Sequence, residues 1–185
     1  VSLGGGGGVS YISHDQEKVI TLNDRMLATN AGVASDAQKL LSYVKADIKL
    51  KELKTKTHLS VKEVANFISN MQFQHLRTPS MVPGIAHFIL AGYDTLGVHL
   101  YDLSPDGHIK QYDTYAVSGA GMMQAHPIID TEYKKNMTVQ EGVDLAIKAI
   151  YASARREPSV GEGMDIYTIK KGEVKKVSAK EIVSQ

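Results

Sequence analysis

The stretch IAHFILAGYDTLGVHLYDLSPDGHIKQYDTYAV, residues 85–117, carries three strand signals separated by two turns. Ile85 to Gly92 is almost wholly apolar, which suits a strand covered on both faces. Thr95-Leu96-Gly97 then turns the chain into a second strand, Gly97 to Leu103. Pro105-Asp106-Gly107 joins a preset φ, a carboxylate that bonds its own backbone and a residue free to take positive φ. It predicts a tight turn into a third strand, His108 to Val117.

Reading outward, two more strands precede these three. Lys18 to Leu22 and Met26 to Ala31 flank an Asn23-Asp24 turn, and Gly32 breaks the pattern. Ser35-Asp36 is expected to cap a helix running to about Lys54, with Leu40, Leu41, Val44 and Ile48 as its apolar stripe. Ser60 opens a second helix, and Glu63 three residues later completes a capping box. Its expected buried face is Val64, Phe67, Ile68 and Met71, and Thr78-Pro79 ends it.

Downstream, Met122 to Tyr133 predicts a helix in which Pro127 warns of a kink or late start. Thr138 and Glu141 cap another, with Val143, Ala146, Ile147, Ile150 and Ala154 on one face. Met164 to Lys170 and Glu173 to Val177 read as a hairpin about Lys171-Gly172, and Ser178 with Glu181 as the cap of a short terminal helix. Strands, two helices, three strands, two helices and two strands make an α+β chain. Its expected architecture is a layered sandwich, sheets inside and helices outside.

Composition narrows the function classes. The 185 residues carry a net charge of +1, which gives no reason to expect nucleic acid or a membrane surface. There is no cysteine, so disulfides and thiolate metal sites are excluded. No apolar run approaches the roughly 18–20 residues of a membrane span, and the chain reads as cytoplasmic. The seven histidines, His14, His58, His75, His87, His99, His108 and His126, show no ligand spacing, so no metal or other cofactor is expected. His87 and His99 are placed to face each other across neighbouring strands, most simply as packing. No nucleophile elbow surrounds Ser118, so Asp102, a histidine and Ser118 do not read as a triad. Gly4 to Gly8 are five consecutive glycines without the Lys and Ser or Thr of a phosphate loop. Residues 1–12 are therefore read as a glycine-rich loop or linker, and residues 13–185 as a single domain.

Three stretches resemble the β-type subunits of archaeal proteasome core particles. They are Ala31-Gly32-Val33-Ala34-Ser35-Asp36-Ala37-Gln38; Ala91-Gly92-Tyr93-Asp94 with Leu100-Tyr101-Asp102-Leu103-Ser104-Pro105-Asp106-Gly107; and Met137-Thr138 through Ala146, Ala149 to Ser153 and Gly161-Glu162-Gly163-Met164-Asp165. The resemblance, over roughly residues 10 to 185, implies the four-layer αββα sandwich of amino-terminal-nucleophile hydrolases. In it, two antiparallel sheets are flanked by helix pairs, here with the first hairpin missing or rearranged.

That family cleaves peptide bonds with the hydroxyl of an amino-terminal Thr. Its free amine takes the proton, helped by a lysine and a buried Asp. By resemblance Lys18 matches the catalytic lysine and Gly32 the backbone oxyanion donor, whereas a strand-end lysine and a turn glycine are their plainer readings. Asn30 and Ala34 match positions lining the substrate side-chain pocket. The Thr has no counterpart, since residue 1 is Val and Ser13-His14 follows closely. Met122 and Val160 stand where the family commonly has serines, unless the alignment slips at Pro158 and puts Ser159 in place. Glu157 stands where it commonly has Asp.

The resemblance thus implies a β-type subunit that acts in ATP-dependent protein degradation. Expected partners are other β-type subunits in a heptameric ring, α-type rings and unfolded polypeptide substrates. The leading expectation is a non-catalytic, structural subunit. The alternative is an active threonine endopeptidase whose amino-terminal strand is absent from this sequence. An α-type gating subunit would need an extra amino-terminal helix, which nothing before Lys18 suggests.

Overall fold

The computed structural model describes residues 2–4, 9–11, 18–32, 34–79, 86–157 and 163–181. Its strands are β1 (Ser2–Gly4), β2 (Val9–Tyr11), β3 (Val19–Thr21), β4 (Met26–Gly32), β5 (Ala86–Asp94), β6 (Gly97–Leu103), β7 (Ile109–Tyr112), β8 (Gly163–Lys170) and β9 (Glu173–Glu181). Its helices are α1 (Ala34–Thr55), α2 (Val61–Arg77), α3 (Met122–Glu132) and α4 (Val139–Ala154). The class is α+β, with antiparallel sheets as the sequence predicts. The chain divides into two compact units, one of residues 18–116 with 169–175, the other of residues 1–17, 117–168 and 176–185.

The first unit is built on a five-stranded sheet of order β3-β4-β5-β6-β7, antiparallel throughout. Residues of β5 alternate between buried and half-buried. Ala86, Phe88 and Leu90 point to the buried face, which α1 and α2 cover. Met26 and Ala28 of β4 and Tyr101 and Leu103 of β6 join them, since directly paired residues point to the same side. Leu41, Val44 and Ile48 of α1 and Val61, Val64, Ala65 and Ile68 of α2 complete this core. Burying each large member contributes roughly 1.5–3 kcal/mol. Phe67 and Met71, expected in the buried stripe of α2, pack only partly against it.

Two buried details lock the layers. Gln72 on α2 donates from Nε2 to the Ala86 carbonyl at 2.7 Å and the Leu103 carbonyl at 3.2 Å, tying the helix to two strands. Gly92 lets the β4 backbone approach: a Cβ there would lie 2.7 Å from Met26 Cγ and 2.9 Å from the Arg25 carbonyl oxygen. The Pro105-Asp106-Gly107 turn forms as expected. Gly107 at φ 90° donates to the Ser104 carbonyl at 2.9 Å, and Asp106 accepts from the His108 N–H at 3.0 Å.

The second unit holds α3, α4 and most of the β8–β9 hairpin. Val143 of α4 packs with Met164 and Ile166 of β8, and Ile147, Ile150 and Ala154 flank them. Four of the five residues expected on the apolar face of α4, Val143, Ile147, Ile150 and Ala154, thus pack together, and Leu145, Ala149 and Ser153 are buried as well. Ser2–Gly4 pairs with Val9–Tyr11 across the glycine run.

Both capping boxes form as read, Ser60 with Glu63 and Thr138 with Glu141. In each, the backbone N–H and then the hydroxyl of the cap residue hold the glutamate below the usual carboxylate range. Other expectations are corrected. Ser178 and Glu181 cap no helix, because β9 continues through Glu181. Pairing with β8 satisfies the backbone there, whereas a one-turn helix would carry the whole nucleation cost. Ser35 and Asp36 lie inside the first turn of α1, and β7 ends at Tyr112, where Asp113 and Thr114 bend the chain.

Candidate functional site

Lys18 stands immediately before β3, and its carbonyl accepts from the Asn30 N–H at 3.0 Å. That bond extends the register of Val19 with Thr29 and Ile20 with Ala28 by one step. Lys18 and Asn30 are therefore directly opposite, and their side chains share the face that Ala28 buries further along the sheet. Lys18 is exposed and Asn30 half-buried, at the open end of that face.

Gly32 closes β4 two residues beyond Asn30, with φ 112°. A side chain there would be strained, so the turn requires glycine whatever its N–H also does. Ala34 is the first residue of α1. The structure thus brings Lys18, Asn30, Gly32 and Ala34 to one end of the five-stranded sheet. The positive end of the α1 dipole lies there too, where it favours anionic groups.

Among the accessory positions, Met122 opens α3 and is 46% exposed. A thioether has no proton to donate, so it cannot replace a serine in a hydrogen-bonded relay. The preceding Ser118-Gly119-Ala120-Gly121 stretch is pinned by Ser153, whose hydroxyl donates to the Gly121 carbonyl at 2.8 Å. The Glu157 N–H donates to the Ser153 carbonyl at 2.9 Å. Val1, Ser13, His14, Pro158, Ser159 and Val160 lie outside the described residues.

His87 and His99 do not face each other. His99 stands opposite Gly92 on the helix-covered face, while His87, one residue from Phe88, points to the other. Each instead bonds a carboxylate, His87 that of Asp102 and His99 that of Asp94, the latter at 3.1 Å. A string running from Asp94 through His99 and Gln111 to Tyr101 escaped the sequence reading. Its one available signal was an aspartate ending an apolar strand. Burial, and then the charge of Asp94, push the Tyr101 hydroxyl up. Among the described residues no three His, Asp or Glu side chains gather as metal ligands, and no helix is long and apolar enough to cross a membrane.

Residues 5–169 match the family described as Proteasome subunit. The chain is 35% identical over 161 residues to "Proteasome subunit beta 2" of Ignicoccus hospitalis, covering 86% of this chain and 73% of that protein.

The chain belongs to the proteasome β-type subunit family.

A second β-type relative, "Proteasome subunit beta 2" of Thermofilum pendens, is 33% identical over 164 residues, 89% of this chain and 78% of its own. "Proteasome subunit beta" of Ferroglobus placidus is 30% identical over 171 residues, 92% and 79% of the two chains. Proteasome membership agrees with the resemblance carried by the three stretches, among them the one around Gly32. It also fits an α+β chain consistent with a layered sandwich.

Proposed function

We propose that this β-type subunit works in a cytoplasmic proteasome core particle, and that the β3–β4–α1 end is its peptide-hydrolysing end. The observation that carries the reading is Lys18 opposite Asn30, with Gly32 at positive φ two residues on. Lys18 supplies the ammonium that lowers the pKa of the proton-accepting amine. Gly32 offers its N–H to the developing oxyanion, beside the α1 amino terminus. Asn30 and Ala34 line a pocket open to many side chains. The nucleophile is the family's threonine, carried by the working polypeptide. Its partners are a ring of seven β-type subunits, flanking α-type rings and unfolded polypeptides.

A second reading is a structural ring subunit that does not cut. Of the residues favouring it, Met122 lies among those described and Val160 outside them. Activity of the assembled particle against a fluorogenic peptide, with this chain as the sole β subunit, separates the two. Under the first reading the parent particle cleaves, and Lys18→Ala lowers the rate by at least about a hundredfold. Under the second, parent and variant are equally inert. Cleavage that Lys18→Ala leaves untouched sinks the assignment of Lys18.

A further inference from the structure

Away from the hydrolytic end, the carboxy-terminal half of α1 and the turn after β3 enclose an open cavity of about 660 Å³. Leu22 and Ile48 form its floor, each 2% exposed. Leu53 stands on its wall at 68% exposure and continues the apolar floor to the rim. Lys45, Lys49 and Lys56 surround these carbons. Lys45, Lys49 and Leu53 are spaced by four and so lie on one side of α1, and Lys56 follows just past its carboxy terminus.

The carboxylate among the lining residues, Glu52, does not offset the lysines. Its Oε1 accepts from Arg25 Nη2 at 2.6 Å and from the Leu59 N–H at 3.2 Å, with His58 Nδ1 at 3.3 Å. Glu52 is therefore spent on holding the α1–α2 link against the β3–β4 turn. Among the described residues no carboxylate forms an ion pair with any of the three lysines. Lys56 sits in the left-handed region at φ 54°, where glycine would end the helix with less strain.

We propose that this cavity docks an acidic peptide segment of a partner protein, one that carries a leucine-like side chain between its carboxylates. The apolar residue covers Leu53 and reaches the Leu22–Ile48 floor, and the carboxylates meet Lys45, Lys49 and Lys56. A bare anion fits less well. The floor offers it carbon in place of hydrogen-bond donors, leaving only exposed lysines that salt screens. The site stands apart from the assignment of Lys18 and Gly32, and each survives failure of the other.

The test is fluorescence anisotropy on the purified full chain. The probe is a fluorescein-labelled peptide of alternating Glu and Leu, beside its Gln–Leu counterpart and a short polyphosphate. The acidic peptide is expected to bind, with affinity falling as salt rises. The Gln peptide and the double variant Lys49→Glu, Lys56→Glu should each weaken binding about tenfold. Leu53→Ser should weaken it several-fold while leaving the salt dependence in place. All three side chains are exposed, and Lys49→Gln with Lys56→Gln provides a gentler pair should charge reversal disturb folding. Equal binding of both peptides, or no binding, overturns the proposal. So does loss with the lysine variants that Leu53→Ser does not share, which would mark a bare polyanion. Self-association abolished by Leu53→Ser, without peptide binding, would give the face to a second copy and overturn it as well.

Discussion

Asp94, the last residue of β5, accepts the Val61 N–H on Oδ2 at 3.0 Å and so fastens the first turn of α2 to the β5–β6 hairpin. Its Oδ1 accepts from the Leu96 N–H at 2.9 Å and meets His99 Nε2 at 3.1 Å. One carboxylate thereby satisfies a helix terminus and a turn at once. Burial by itself pushes this carboxyl up, but the two N–H groups and His99 outweigh it, and the net direction is downward.

Asp94→Asn should therefore destabilise the protein by about 1.5–3 kcal/mol, the range for hydrogen bonds to a charged group. The sign of the pH effect follows from the lowered pKa. The carboxylate contributes its full stabilisation above the unfolded value of about 4 and loses it as pH falls through the folded value. Chemical denaturation as a function of pH should show the acid-side slope flattening in the variant. An unchanged slope would mean that another carboxylate carries it.

Gln72→Ala is expected to cost about 1–3 kcal/mol beyond the loss of side-chain packing, because two buried bonds to different strands vanish together. Amide hydrogen exchange gives the more discriminating readout. Protection should fall at the β5–β6 end near Ala86 and Leu103 more than at Gly92.

Gly92→Ala should destabilise by about 1–3 kcal/mol through overpacking. Trimming Met26 to Ala in the same chain relieves only the contact with Cγ, since the second obstacle is the Arg25 backbone oxygen. Thermal melts of the single and double variants check this, and full recovery in the double variant would contradict it.

Gly32 and Lys18 should separate stability from chemistry. Gly32→Ala forces a side chain onto φ 112° and should cost about 1–3 kcal/mol in any denaturation assay. Lys18→Met, on an exposed side chain, should change stability by no more than about 0.5 kcal/mol. A large stability loss in Lys18→Met would point to a structural lysine.

Much of this architecture was legible because its signals are local. The capping boxes at Ser60 and Thr138 need only two residues three apart, and the Pro105-Asp106-Gly107 turn needs three in a row. The order of strands and helices along the chain followed from apolar runs, helical spacing and turns. What stayed hidden depends on residues brought together from afar. Gln72 reads as an ordinary polar helix position until Ala86 and Leu103 present carbonyls to it. His87 and His99 seemed mutual partners because spacing does not reveal which face each takes, and adjacent carboxylates claimed both. The terminal helix failed for a similar reason, since pairing with β8 overrode a weak cap. Of the candidate site, Lys18, Asn30 and Gly32 were found through the family likeness, and their common location at one sheet end is the contribution of the structure.

In the five-stranded sheet, β3 with β4, β5 with β6 and β6 with β7 are joined by short links, so each pair can zip from its own turn. Only β4 with β5 must wait until the entire α1–α2 segment has looped back. That closure spans far more chain than the others and is the costliest of the loop closures in this unit, so it is expected to set the pace. The α2 residues that settle onto both neighbouring strands, Gln72 foremost, are accordingly where slower folding rather than faster unfolding should appear.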